Sequence, residues 1–225
     1  MSKSLKLVIF DCDGTLVDSQ HLIISAMSTA FEAHGMPVPE RKRMLSMVGL
    51  SLLEVFTALG KDARNYPVAS LAEQYKLAFH ALREEGAAVE PLYPGAAEAV
   101  TALAQRDDVV LGIATGKSRR GVHLVLGHHG LIDHFLTIKT ADDAPSKPDP
   151  GMVTAAMREA GVAAADTVVV GDTAYDIAMA RAAGAKAIGV TWGYHPAAAL
   201  SAAGAVIVVD DFAALIPALD SLWAA

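Results

Sequence analysis

Short apolar runs, several of them rich in β-branched residues, recur along the chain at 5–10, 109–114, 167–170, 186–190 and 205–209, with a weaker one at 135–138. Apolar runs without polar alternation are the pattern of strands buried on both faces, as in a parallel sheet. Between them lie stretches with apolar residues at helical spacing, at 95–105, 118–128, 151–160, 174–183 and 196–202. Strand and helix alternate through the second half, which predicts an α/β fold, a mostly parallel sheet flanked by helices.

The segment from about 17 to about 88 breaks this rhythm. Over 21–34 the apolar residues fall in two helical rows, Leu22, Ala26 and Ala30 beside Ile23, Met27 and Phe31. Helices are also predicted at 51–59, with Ser51 as N-cap, and at 70–85. No strand-like run interrupts these residues. The chain therefore divides into a discontinuous α/β core, 1–16 and 89–225, and an inserted all-helical module, 17–88, with hinges near 16–19 and 86–93. Open parallel sheets bind ligands beyond the carboxyl ends of their strands. The residues just after each apolar run are thus the candidates for chemistry.

Composition narrows the possibilities. With 53% hydrophobic residues over 225 positions, the chain can build a packed core, which argues against disorder. A formal net charge of -7 without a long basic run argues against nucleic-acid binding, which needs clustered Lys and Arg. The single cysteine, Cys12, rules out an internal disulfide and fits a reducing compartment. The apolar stretch before Asp11 is shorter than the roughly 7 residues of a signal-peptide core or the roughly 18 of a membrane span. A cytoplasmic protein without membrane contact is expected.

The first run ends in Phe10-Asp11-Cys12-Asp13-Gly14-Thr15. Two carboxylates this close at the tip of a buried strand repel each other unless a cation or a proton lies between them. The plainer alternative is a turn in which Asp and Gly merely stop the strand. The run 167–170 also ends in acids, Gly171-Asp172-Thr173-Ala174-Tyr175-Asp176, with Asp176 one helical turn after Asp172. Here the plainer alternative is a helix capped by Asp172, with a second acid in its first turn. Acidic tips on two strands of one sheet edge are held together most simply by a hard divalent cation, Mg²⁺.

The run 109–114 leads into Thr115-Gly116-Lys117-Ser118 just before a helix. A hydroxyl and free backbone N–H groups at a helix N-terminus form a phosphate-sized anion site, although capping alone also explains Thr115 and Ser118. Lys147 stands in Pro145-Ser146-Lys147-Pro148-Asp149-Pro150, where the prolines restrict the backbone and hold it in place. A held ammonium suits neutralisation of a phosphoryl group; a solvated loop lysine is the alternative.

In order along the chain, these four stretches resemble the motifs of the haloacid dehalogenase-like (HAD) hydrolase superfamily: an Asp-x-Asp-Gly-Thr box, a strand-ending Thr or Ser, a Lys, and a Gly-Asp-x-x-x-Asp box. The resemblance runs from Val8 to Trp192-Gly193-Tyr194-His195-Pro196 and is nearest to the phosphoglycolate-phosphatase-like branch, on Asp11 to Ser19, Lys147-Pro148-Asp149-Pro150 and Val190 to His195. It implies a Rossmann-like α/β core with a helical cap inserted after the first motif, and a Mg²⁺-dependent phosphatase acting on a small phosphorylated metabolite of phosphoglycolate or sugar-phosphate type. By similarity, Asp11 is the nucleophile that forms an aspartyl-phosphate, and Asp13 is the acid and base for leaving group and water. The metal falls to Asp11, the Asp13 carbonyl and Asp172, with Asp176 in a supporting role. Thr115, the Gly116 amide and Lys147 hold the phosphoryl oxygens. The expected partner is the metabolite alone, with no nucleic acid or membrane, the chain acting as a monomer or homodimer.

Two positions depart from the family pattern. Gly116 stands where Asn is frequent. Leu45-Ser46-Met47-Val48 precedes the Gly49-Leu50-Ser51 turn where related caps often carry an Arg, and Arg43 lies further upstream. Rival functions are a phosphomutase of the β-phosphoglucomutase type, which shares the aspartyl-phosphate, and a non-catalytic phosphometabolite-binding protein, which has no need of Asp11 and Asp13 together. Gly112 to Ser118 has three residues between its glycines where a P-loop has four. His123, His128, His129 and His134 lack the i,i+4 spacing of a helical metal pair. The acids beside Cys12 disfavour its thiolate, and Met27, Met44 and Met47 fit core packing.

Overall fold

The computed structural model describes residues 4–84 and 90–224. Strands β1 (Lys6–Phe10), β2 (Val109–Thr115), β3 (Phe135–Thr140), β4 (Thr167–Gly171), β5 (Lys186–Val190) and β6 (Ile207–Val209) form one parallel sheet in the order β3-β2-β1-β4-β5-β6. Helices α1 (Gln20–Ala33), α2 (Arg41–Leu45), α3 (Leu52–Leu59) and α4 (Val68–Glu84) lie between β1 and β2 in sequence. The sheet is flanked by α5 (Ala96–Ala104), α6 (Arg119–His128), α7 (Gly151–Ala160), α8 (Ala174–Ala182), α9 (Ala197–Ala203) and α10 (Leu215–Ala224). The α/β class and the parallel sheet match the sequence pattern. The pattern did not supply α2 and α10.

Burial explains why the strands read as continuous apolar runs. Alternate residues of β1 enter two different cores: Val8 and Phe10 pack with α5, α6 and α10, whereas Leu7 and Ile9 pack with α7, α8 and α9. With helices on both faces, no residue in the middle of β1 meets water, so polar alternation is lost. A third apolar cluster belongs to the helical segment, where Ile23, Met27 and Phe31 of α1 pack with Val55 and Phe56 of α3 and Leu71 of α4. The two chain connections to this segment lie side by side: Asp18 N–H donates to Pro91 O at 2.8 Å, and Tyr93 N–H to Leu16 O at 3.0 Å. Within the expected second hinge, residues 86–89 lie outside the described residues, as does the boundary at 88. No helix among the described residues is long and apolar enough to cross a membrane.

Candidate active site

The strand order reverses at β1, whose neighbours β2 and β4 lead away in opposite directions. Crevices at such a point, beyond the carboxyl ends of the strands, are where open α/β sheets hold ligands. Asp11 follows β1, Thr115 ends β2 and Asp172 follows β4, and all three are fully or almost fully buried. One carboxylate oxygen from each of Asp11, Asp172 and Asp176 falls within 4.8 Å of the others. Lys147, 2% exposed, completes the group, with Nζ 2.5 Å from Asp176 Oδ1 and 2.9 Å from Asp11 Oδ2.

Each carboxylate is held differently. Asp11 Oδ1 accepts from Cys12 N–H at 2.7 Å. Its Oδ2 meets Lys147 as an ion pair but has no aligned hydrogen-bond donor, although it is buried. Asp172 Oδ1 accepts from Thr15 Oγ1 and its Oδ2 from Tyr194 N–H. Asp176 has both oxygens occupied, Oδ1 by Lys147 and Oδ2 by the Thr173 amide and hydroxyl. The cap of α8 is therefore Thr173 in a capping box with Asp176, not Asp172, which is left for other work. Gly14, at φ +87°, allows this closeness: a Cβ there would lie 2.3 Å from Asp172 Oδ2.

The electrostatics follow from the inventory of charges. Three buried carboxylates face one buried ammonium, a deficit that one divalent cation balances. Burial raises the Asp11 carboxyl from its ordinary 3.8 to about 7, against the pull of Lys147. Burial, together with Asp176 and Asp11, pushes Asp172 well above the usual carboxylate range. For Lys147, burial disfavours the charge but Asp11 and Asp176 outweigh it, so its pKa is raised and it stays an ammonium. An all-oxygen, anion-rich pocket with an orphaned buried carboxylate oxygen fits a hard divalent metal.

Asp13 stands apart from this group. Its Oδ1 accepts from Ser19 Oγ at 2.5 Å and from Lys117 Nζ at 2.7 Å. Lys117 Nζ also reaches Glu90 Oε1 at 2.8 Å, and Glu90 in turn is bonded by Arg83 of α4. Burial opposes ionisation of both central groups, but each opposite charge prevails: Glu90 is lowered and Lys117 raised in pKa. Sequence reasoning singled out neither Ser19, Lys117, Glu90 nor Arg83. At Gly116, an added Cβ would lie 2.5 Å from Leu50 O and 2.6 Å from Gly49 O, so the backbone of the helical segment occupies the place of a side chain. Ser118 caps α6, accepting from Gly121 N–H. A cavity of about 570 Å³ opens from Asp11, Asp13, Thr115 and Gly116 toward α1, α3 and α4.

The loop after β5 ties these parts together. Trp192 Nε1 donates to Thr15 O, Tyr194 N–H to Asp172, and the His195 ring joins Ala174 N–H to Ser46 O. His195 therefore has a structural place. His129 Nε2 bonds to Glu90 O, and the rings of His128 and His129 meet edge to face.

The model of the haloacid dehalogenase-like hydrolase family matches residues 8–190. The chain belongs to that family. It is 37% identical to the probable phosphatase IndB of Dickeya dadantii over 220 residues, 96% of this chain and 94% of that protein. It is 35% identical to a phosphoglycolate phosphatase of Rhodospirillum rubrum, over 93% of this chain and 89% of the relative. A hydrolase from Pseudomonas syringae superposes with a TM-score of 0.84 at 28% identity, covering 96% of this chain and 98% of the other. This HAD-like protein is an enzyme, a phosphatase of the phosphoglycolate-phosphatase-like branch, and HAD-type phosphatases use a divalent metal.

Proposed function

We propose that this phosphatase is Mg²⁺-dependent, that it acts through an aspartyl-phosphate on Asp11, and that its substrate is a small phosphorylated metabolite of phosphoglycolate or sugar-phosphate type. The observation that carries this is the placing of Asp11: buried just beyond β1, ion-paired with Lys147, and a residue of the cavity wall beside Thr115 and Gly116. A buried carboxylate at the mouth of the cavity, with an ammonium beside it to offset the charge of an incoming phosphoryl group, is placed to act as a nucleophile.

In this reading a carboxylate oxygen of Asp11 bonds to phosphorus as the bond to the leaving oxygen breaks. Asp13 gives its proton to the departing alkoxide, then takes one from the water that hydrolyses the aspartyl-phosphate. Lys147, Thr115 and the Gly116 amide hold the non-bridging oxygens while charge redistributes. Asp176, with both oxygens engaged, orients Lys147. The metal would be held by Asp11, the Asp13 carbonyl and Asp172, and when bound it screens the nucleophile from the phosphoryl charge. Residues 17–88 act as a cap that excludes water and contacts the leaving group.

The test is phosphate release from a panel of phosphomonoesters, with Mg²⁺ and with chelator. Release that needs the metal and vanishes in Asp11→Asn is expected. Equal release in chelator, or turnover by Asp11→Asn, overturns the reading.

A further inference from the structure

Beyond the phosphoryl site, the cavity wall shows what kind of alcohol the substrate carries. The helical segment contributes Ile23 and Met27 from α1, Val55 from α3, and Tyr75 and Phe79 from α4, and α6 adds Leu124. Basic side chains are present on this wall as well. Those next to the reacting groups, however, are already neutralised inside the protein. Lys117 sits between Asp13 and Glu90, with its side chain 7% exposed, and Arg83 closes on the same Glu90. With Asp13 as a carboxylate, before it takes up the proton for the leaving group, two cations meet two carboxylates and this part of the wall has no net formal charge. Phe79 covers the pair, with its ring 5.4 Å from Lys117 Nζ and 4.9 Å from Arg83 Cζ. Lys76 and Arg120 also line the cavity but are exposed, where water screens them, and His80 lines it half-buried. Arg43 donates to Leu59 O and does not line the cavity.

A carboxylate carried into such a site loses its water and finds no free buried cation among the described residues. An uncharged group with an apolar face loses little and gains contact with the aromatic and aliphatic wall. The geometry points to a leaving-group subsite for an uncharged alcohol with an apolar face, so that the substrate class is the phosphomonoester of a neutral alcohol and not of a hydroxy acid. Glu90 is the specificity-determining residue, because it neutralises Lys117 and Arg83. This rests on the phosphatase reading of the same site.

The experiment compares kcat/KM for 2-hydroxyethyl phosphate, benzyl phosphate and phosphoglycolate with Mg²⁺ present. In the wild-type protein, both neutral esters are expected to exceed phosphoglycolate by at least about tenfold, the scale of one uncompensated buried polar group. A value for phosphoglycolate equal to or above both neutral esters overturns the inference, while the phosphatase reading stands. Release from none of the three, nor from any ester of the wider panel, removes the phosphatase reading and this inference with it. In Glu90→Gln, the freed positive charge is expected to raise the ratio of phosphoglycolate to 2-hydroxyethyl phosphate by about tenfold or more. An unmoved ratio in a variant with a wild-type circular dichroism spectrum also counts against the inference. Should that variant fail to fold, the wild-type comparison decides alone.

Discussion

Asp11 and Asp13 are two residues apart in the sequence, yet they sit in opposite electrostatic surroundings. Asp11 joins Asp172 and Asp176 around a single ammonium, Lys147, and the group is short of positive charge. Asp13 joins Glu90 around Lys117, with Arg83 behind, and the group is balanced. Two residues apart in a strand would share a side, but the chain leaves β1 at Phe10 and turns at once, with Leu16 and Val17 N–H donating to Cys12 O, so the two carboxylates part. The difference is functional in kind. The first group needs a cation from outside, and the second is complete and can hold an acid in one orientation. In the second group Ser19 and Lys117 both bond to Oδ1 of Asp13, and no hydrogen bond among the described residues reaches Oδ2. In the proposed mechanism that oxygen is the one left to exchange a proton with substrate.

The largest effect is expected at Asp11. Replacing it with Asn removes the proposed nucleophile, and turnover should fall by about 10⁴-fold or more. Because the substitution also removes a charge from an anion-rich cluster, the metal-free protein should melt no lower than wild type near pH 8. A variant that loses activity only because it unfolds would break the comparison, and a thermal melt checks this.

Asp13→Asn should act through the leaving group. Loss of the general acid is expected to lower kcat on an alkyl phosphate by about 10²–10⁴-fold. The loss should be much smaller on p-nitrophenyl phosphate, whose leaving group departs without a proton. Equal losses on the two substrates would show that Asp13 does not protonate the leaving oxygen.

The metal sharpens the contrast further. In the metal-free protein Asp11 has a folded-state pKa of about 7 against 3.8 unfolded, with Asp172 raised in the same direction. The folded state then binds more protons than the unfolded one. The stability this contributes is fully present below about pH 4 and is lost as the pH rises through about 7. A cation relieves the same repulsion and must displace those protons to bind. Saturating Mg²⁺ should therefore raise Tm more at pH 8 than at pH 5.5, with protons released on binding. An equal rise at both pH values would remove Asp11 and Asp172 as the groups that sense the metal.

What the sequence revealed divides along the same line. Asp11, Thr115 and Asp172 stand at or just beyond strand ends, Asp176 one helical turn later in α8, and Lys147 in a proline-constrained loop. The rule about strand ends is enough to single them out, and the fold brings them together. The balanced cluster left no such trace. Lys117 reaches Asp13 across 104 positions and Glu90 across 27, so its partners are set by how the turn after β1, the loop after β2 and the chain returning from the helical segment meet at one edge of the sheet. The pairing of Thr173 with Asp176 also needed coordinates, since the pattern alone allowed Asp172 as the cap. Helix α10 did have Leu215, Leu219 and Leu222 at helical spacing. Pro217 obscured it, although proline is tolerated in a first turn, where its missing N–H has no partner to lose.

The smallest expected effect compares two serines that look alike in sequence. Ser51 and Ser118 each precede an apolar helix and occupy its N-cap with extended backbone, at ψ 153° and 154°. Only Ser118 caps with its side chain, accepting from Gly121 N–H at 3.2 Å. Ser51 makes no side-chain cap bond and instead donates its own N–H to Ser146 Oγ at 2.7 Å, a contact between the helical segment and the loop that holds Lys147. Ser118→Ala should thus cost about 1 kcal/mol, the usual value of a lost N-cap, and lower Tm by roughly 2–4 °C. Ser51→Ala leaves the backbone donor in place and should stay within about 0.5 kcal/mol of wild type. Urea titration of both variants separates them. Equal destabilisation would mean that the Ser51 hydroxyl contributes to holding the helical segment on the core, and that the two regions are joined by more than backbone contacts at this edge.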